Sequence, residues 1–317
     1  MTGALGVWLA TGLLSALLFL SLAEGFSAGV LLSYLAPLPL MMVGLSRKTM
    51  ATMVAGLAAM AAVAAVGGGK SSLAFSVAVV LPSLVVVRQS LLCRQSGDSD
   101  VEWYPPGLVL GHLTGIAVAL ILIGAALVAG TASEGETGGV QGWVAEIIGR
   151  TMDVLASTLT VEQRRRAVDW WVPFFPAMVA GSWLMMAVVN ATSAQGLLRR
   201  TGKNRRPTPI YREMELPGWL GTVLVVALAT GLMVEGDLGY LARSVAAVTA
   251  VPFCLLGLAA IHRWAQGRPN ARFILAGLYG VLFLASVWAL VPITGLGLVR
   301  FVTRFRRGPN GDGGKEE

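Results

Sequence analysis

Long apolar runs, spread along the whole chain and separated by short cationic turns, are the feature that leaves least freedom. A bilayer core of about 30 Å is crossed by roughly 20 apolar residues at 1.5 Å each. Nine stretches reach or approach that length: 4–22, 27–44, 50–66, 71–88, 107–130, 171–195, 218–236, 241–262 and 272–296. Only 13% of the 317 residues are charged, against 55% hydrophobic. That is about half the charged share of a soluble domain, and a water-facing surface built from it would expose large apolar patches. A disordered chain is excluded too, because disorder needs low hydrophobicity and high charge. The expected fold class is therefore all-α: a polytopic transmembrane bundle of eight or nine helices, with one amphipathic helix at the interface.

The net charge of +7 would suggest nucleic acid in a soluble protein. Here the excess sits in short turns, where Lys and Arg set membrane orientation, so no nucleic-acid partner is expected. Arg47 and Lys48, Arg88 and Arg94, the group Arg199–Arg212, and Arg263, Arg268 and Arg272 occupy one set of turns. The alternate turns hold Glu24, Lys70, Glu134, Glu136, Glu235 and Asp237. This positive-inside pattern places the N-terminus in the cytoplasm. The first run has no basic segment before it and reads as a retained helix, not a cleaved signal. One conflict remains. Nine spans would export a tail holding Arg300, Arg304, Arg306 and Arg307. Either one short segment does not cross, or the tail breaks the rule, or the last run splits at Pro292 and 296–305 lies amphipathic beside the membrane. The tail is placed in the cytoplasm.

Along the chain, 1–130 reads as an N-terminal membrane bundle, 131–170 as an extramembrane connection, 171–307 as C-terminal membrane helices and 308–317 as a disordered tail. Pro37 and Pro39 break the second run, and such a break at membrane depth requires packing or a cavity that re-satisfies the backbone. In the connection, Val144, Ile147, Ile148, Met152, Leu155 and Leu159 recur at helical spacing, with Glu146, Arg150 and Asp153 opposite. Thr160-Val161-Glu162-Gln163 fits a capping box opening the next helix.

Reactive chemistry finds little support. Gly67-Gly68-Gly69-Lys70-Ser71 resembles the end of a phosphate loop, but Ala64 stands where glycine is required and no strand precedes it, so a turn between spans is preferred. Cys93 and Cys254 have neither disulfide nor zinc spacing. His112 and His262 have no carboxylate at ligand spacing. No metal, no cofactor and no enzymatic activity are expected. Ionisable residues inside spans, the usual mark of a proton-coupled pump, are almost absent; Asn190 and Ser182 are the clearest polar side chains of the sixth run. Arg164, Arg165 and Arg166 could meet an anionic ligand or headgroup, or form a solvated face beside Glu162 and Asp169. Ala51, Ala55 and Ala59 form a small-residue stripe, read either as internal packing or as a docking face for a partner subunit.

The stretch Leu197–Leu220, LLRRTGKNRRPTPIYREMELPGWL, resembles the YybS-like bacterial membrane proteins, a family of unknown function. Arg199, Arg200, Arg205, Arg206, Tyr211, Leu216 and Pro217 fit its pattern. Phe253–His262 and Gly295–Arg307 are similar to two later family segments, with Leu256 where glutamine is common and both closing acids missing. Pro37-Leu38-Pro39-Leu40, a basic turn and a small-residue helix also resemble the substrate-binding S components of energy-coupling factor transporters. That likeness implies binding or translocation of a small solute, with a pocket near Pro37, Trp103, His112 and Asn190, and a membrane coupling subunit docked on segment three's alanines or on Gly12 and Ala16. The alternative is a membrane scaffold that docks partner proteins through its basic loop, with Arg199, Arg200, Arg205 and Arg206 as contacts. Lipid is the one partner common to both readings.

Overall fold

The structure, a computed structural model, describes residues 2–24, 27–96, 100–131, 138–156, 158–285 and 287–307. The expected disordered tail 308–317 and the acids Glu134 and Glu136 lie outside the described residues. Helices dominate: α1 (Thr2–Leu20), α2 (Ser27–Tyr34), α3 (Pro37–Ser46), α4 (Thr49–Phe75), α5 (Leu81–Ser90), α6 (Pro106–Thr131), α7 (Gly139–Leu155), α8 (Val161–Trp171), α9 (Phe175–Arg200), α10 (Trp219–Met233), α11 (Gly236–Ala265), α12 (Ala271–Ala285) and α13 (Val287–Arg307). Between α5 and α6 lies a feature absent from the sequence reading, a hairpin of β1 (Cys93–Ser96) and β2 (Asp100–Trp103), antiparallel with Arg94 opposite Glu102.

Among the described residues, six stretches are long and apolar enough to cross a bilayer, and two shorter apolar helices, α10 and α12, accompany them. The tally by length counts fewer crossings than the expected eight or nine, because one of these stretches holds two arms. The stretch Thr49–Ser90 is 42 residues long, but it folds back on itself. Gly68 has φ of 77°, inside the left-handed region, which glycine enters without steric cost. The Ser72 hydroxyl then donates to the Met60 carbonyl at 3.0 Å, a contact that a straight helix would separate by roughly 18 Å. The Gly67–Ser71 motif is a turn between two antiparallel arms. In the last run Pro292 does not end a helix; it sits inside α13.

The compact units do not follow the chain. One comprises residues 1–113 with 183–211, the other 114–182 with 212–317. In the first unit α1 lies against α4. Gly12 has no Cβ because a methyl there would run into the Ala55 carbonyl. Ala16, Ala51, Ala55, Ala59, Val63 and Phe75 are buried in this seam, closed by Phe19 edge-on to Phe75 with centroids 5.1 Å apart. Lipid supplies no hydrophobic drive between helices, so close packing of small residues does the holding. The alanine stripe is thus internal, and its methyl groups present no surface to a coupling subunit.

In the second unit the apolar stripe of α7, through Val144 and Ile148, packs on Val172 instead of lying bare at an interface. The capping box at Thr160 forms as expected: its hydroxyl accepts from Gln163 N–H at 3.2 Å, and the Gln163 side chain accepts from Thr160 N–H at 2.9 Å. The Asp237 carboxylate accepts from Val140 and Gln141 N–H at 2.8 and 3.1 Å. It serves as a cap on the positive end of α7 from 97 residues away. The α10–α11 turn is tied by Arg243, which donates to the Gly231 carbonyl at 2.9 Å. Residues 212–215 are held by α13: Arg300 donates to the Arg212 carbonyl at 2.8 Å, and Arg304 pairs with Glu215.

Candidate functional site

Pro37 and Asn190 come together, and the backbone explains why. Pro39 has no N–H for the Leu35 carbonyl, and Leu38 N–H fills that gap at 3.0 Å. The Tyr34 carbonyl, which Leu38 would otherwise serve, takes the Asn190 amide at 2.7 Å. The same amide also donates to Met186 at 2.8 Å. Ser15, on α1, donates to the Ala36 carbonyl at 2.6 Å. Ser15, Ala36 and Asn190 are all essentially sealed from the surface. The Asn190 Oδ1 is buried without a hydrogen-bond partner.

A second repair lies on the same face of α9. The backbone widens into a π-helical turn at Ser76–Val80 just before Pro82. At π spacing the donor for the Val77 carbonyl would be residue 82, a proline without N–H. The Trp183 indole donates to that carbonyl at 3.1 Å. Trp183, Ala187, Asn190 and Ala194 follow one another at helical spacing, and all are buried. This face of α9 therefore satisfies the backbone that two proline sites leave open. Ser15 and Trp183 went unremarked in the sequence reading. A tryptophan inside an apolar run was a usable signal, since a buried indole N–H nearly always finds an acceptor.

The second constellation is cationic. Arg206 is only 6% exposed. Its guanidinium donates to the Ser90 carbonyl at the end of α5 (3.2 Å) and to the Tyr104 carbonyl just beyond β2 (2.8 Å), and it lies 6.0 Å from the centre of the Trp103 ring. Gln195 and Asn204 each donate to the Arg206 carbonyl at 2.9 Å. Arg205 donates to the Arg47 carbonyl in the α3–α4 turn. Five pieces of the first unit meet here: the α3–α4 turn, the end of α5, the hairpin, the end of α9 and the loop after it. Burial pushes the Arg206 guanidinium below its ordinary pKa, with a smaller opposing effect from Tyr211, yet arginine stays charged at any physiological pH. With Arg206 and Arg205 engaged, Arg199, Arg200 and Lys203 remain exposed on an ordered support.

Trp103 lines a hollow of about 340 Å³ beside the hairpin, with Cys93, Arg94, Glu102 and Tyr104. Pro37, His112 and Asn190 do not line it. His112 is exposed, its Nδ1 2.8 Å from the Leu108 carbonyl in its own helix and its ring 6.1 Å from Tyr104. Of the four residues expected around one pocket, only Trp103 lines this hollow. Arg164, Arg165 and Arg166 are all engaged locally: Arg164 pairs with Asp153 at 2.6 Å, and Arg165 and Arg166 share Glu162 at 3.5 and 3.0 Å. Asp153, one helix earlier, stands where Asp169 was anticipated. Among the described residues no group of three His, Cys, Asp or Glu could hold a metal ion.

Large apolar side chains cover the outer faces of the helices: Leu31, Leu57, Leu232 and Phe283 are 72%, 63%, 84% and 86% exposed. Lipid solvates such surfaces and water does not, which together with the six spanning stretches defines a multi-pass helical membrane protein. The chain belongs to the family described as predicted membrane protein (DUF2232), whose model matches residues 13–299. No curated protein and no solved structure matches it.

Proposed function

We propose that this membrane protein is a docking platform, and that the cationic face built on Arg206 receives an acidic segment of a partner protein on the cytoplasmic side of a bacterial inner membrane. The observation that carries the reading is the use of a buried arginine to order a basic loop. Cations that merely orient a protein or touch headgroups need no fixed scaffold. Here one guanidinium and the side chains of Gln195 and Asn204 fix the loop, and Trp103 and Arg94 flank a hollow next to it. Sidedness follows from the excess of Arg and Lys there. The antiparallel course of α1 against α2 and α3 supports an N-terminus on the same side. In the second unit, the bonds from Arg300 and Arg304 to residues 212–215 support a tail on that side, whether α12 and α13 cross fully or only dip into the bilayer.

A photo-crosslinking residue at position 203, in the full chain in its native membrane, tests the platform. The expected result is one discrete protein adduct, acidic at its contact, that disappears when Arg199 and Arg200 are both changed to glutamate. Adducts to lipid alone, or an adduct indifferent to that charge reversal, would refute it. Reporter fusions at 140 and 317 should read periplasm and cytoplasm respectively. A second reading, binding of a small solute in the manner of an S component, is favoured by the unpartnered Asn190 Oδ1 beside the α2–α3 break. It expects a stoichiometric small molecule in the purified protein, lost on Asn190→Asp; an empty protein refutes it.

A further inference from the structure

The second unit contains a groove of about 560 Å³ between α11 and α13. Arg263, Arg300 and Arg304 contribute to it, and so do the apolar side chains Ala260, Leu296 and Val299. Three guanidiniums face a single carboxylate, Glu215, which pairs with Arg304. Among the described residues no ion pair involves Arg263 or Arg300. Arg300 uses Nη2 on the Arg212 carbonyl, while its Nη1 is buried without a partner. Burial, followed by repulsion from Arg263 and Arg304, holds the Arg300 guanidinium below its ordinary pKa, and Glu215 only partly offsets this. Like charges around the half-buried Arg300 guanidinium are costly unless an anion joins them.

The chemistry of the surroundings selects the anion. Trp264, at the same end of α11, is 54% exposed, and Arg268 stacks over its ring at 3.6 Å. An exposed tryptophan with stacked arginine at a helix end marks the headgroup level of a bilayer. A free anion would need only the guanidiniums. A groove that joins guanidiniums to an aliphatic wall matches a molecule charged at one end and aliphatic along its length.

We propose that the α11–α13 groove is a binding site for one anionic phospholipid. Its phosphodiester is held by Arg263 and by the part of Arg300 that lines the groove, and an acyl chain lies along Leu296 and Val299. Arginine suits the role, because its planar fork matches two phosphate oxygens at once. This site lies in a different unit from the docking platform and does not depend on it.

Native mass spectrometry of the full chain, released from mild detergent with phosphatidylglycerol and phosphatidylcholine offered together, tests the proposal. The expected result is one phosphatidylglycerol per chain, retained over phosphatidylcholine. Arg263→Gln, at an exposed side chain with no bond to lose, should weaken that retention about tenfold, the worth of one charge-assisted bond. Arg300→Gln should weaken it at least as much, but it also frees the Arg212 carbonyl, so the Arg263 variant is the deciding one. Arg150→Gln, which removes an exposed arginine on α7, should change nothing. Equal retention of the zwitterionic lipid, an unaffected Arg263→Gln protein, or displacement of the lipid by millimolar inorganic phosphate would each overturn the proposal. The last result would identify a free-anion site instead.

Discussion

Asn190→Ala isolates the proline repair in the first unit. The substitution removes the amide that serves the Tyr34 carbonyl. The other bond from that amide, to Met186, lies within α9 and is lost from packed and separated helices alike, so it cancels. What remains is the loss of that interhelical bond, and a carbonyl deprived of a donor costs about 1–3 kcal/mol in soluble proteins. Interhelical polar contacts in membranes average nearer 0.6 kcal/mol, with a maximum of about 1.7, because separated helices find substitute partners. Here the prolines deny the Tyr34 carbonyl a substitute within its own helix, so a loss of about 1.5 kcal/mol is expected, close to the membrane maximum. Pro39→Ala supplies the internal control. A restored N–H at 39 can serve Leu35 and release Leu38 for Tyr34, which makes Asn190 redundant. In that background Asn190→Ala should cost less than about 0.5 kcal/mol, a coupling that a double-mutant cycle measures directly. Reversible unfolding of the four proteins in bilayers or mixed micelles provides the assay. If Asn190→Ala costs the same with and without Pro39, the carbonyl-capping account is wrong.

Three further outcomes are expected. Arg206→Ala should cost about 1.5–3 kcal/mol by removing charge-assisted bonds to two carbonyls, and hydrogen exchange should show faster opening of 93–104 and 201–211. Arg206→Lys should rescue little because an ammonium lacks the fork, and the Arg206→Ala loss should be the same at about pH 6 and pH 8, since the guanidinium is protonated in both folded and unfolded chains throughout that window. Gly12→Val should destabilise the first unit by about 1–3 kcal/mol through overpacking against the Ala55 backbone, seen as a lower melting temperature in detergent, whereas Gly142→Val on open surface should not act through any clash. Asp237→Ala should cost about 1–2 kcal/mol by leaving two N–H groups of α7 uncapped, and proteolysis should then nick the chain near residue 139 ahead of other sites.

How much of this was legible beforehand can be judged from particular residues. The alanines at 51, 55 and 59 were recognisable as a packing stripe, but their partner, Gly12, was not, because close approach is a property of two helices. The capping box at Thr160 was readable because all of its atoms lie within four residues. The hairpin is not legible although Gly97-Asp98-Ser99 stands between its two runs, since four-residue strands are too short for the alternation of Val101 and Trp103 to stand out. Asn190 was noticed as polar within an apolar run, and its partner lies 156 residues away.

Composition and periodicity determined the solvent, the helical class and the cationic turns, because lipid demands that each segment satisfy its own backbone. Those demands act on consecutive residues, so the sequence displays them openly. Tertiary structure decided which side chains repair the proline sites, that Arg206 is an internal tie while its neighbours stay exposed, and that α13 ends against residues 212–215. These outcomes depend on pairs of groups brought together from distant parts of the chain. A lone asparagine or arginine looks the same in sequence whether it caps a carbonyl, meets a ligand or faces solvent, and only the position of its neighbour distinguishes the three.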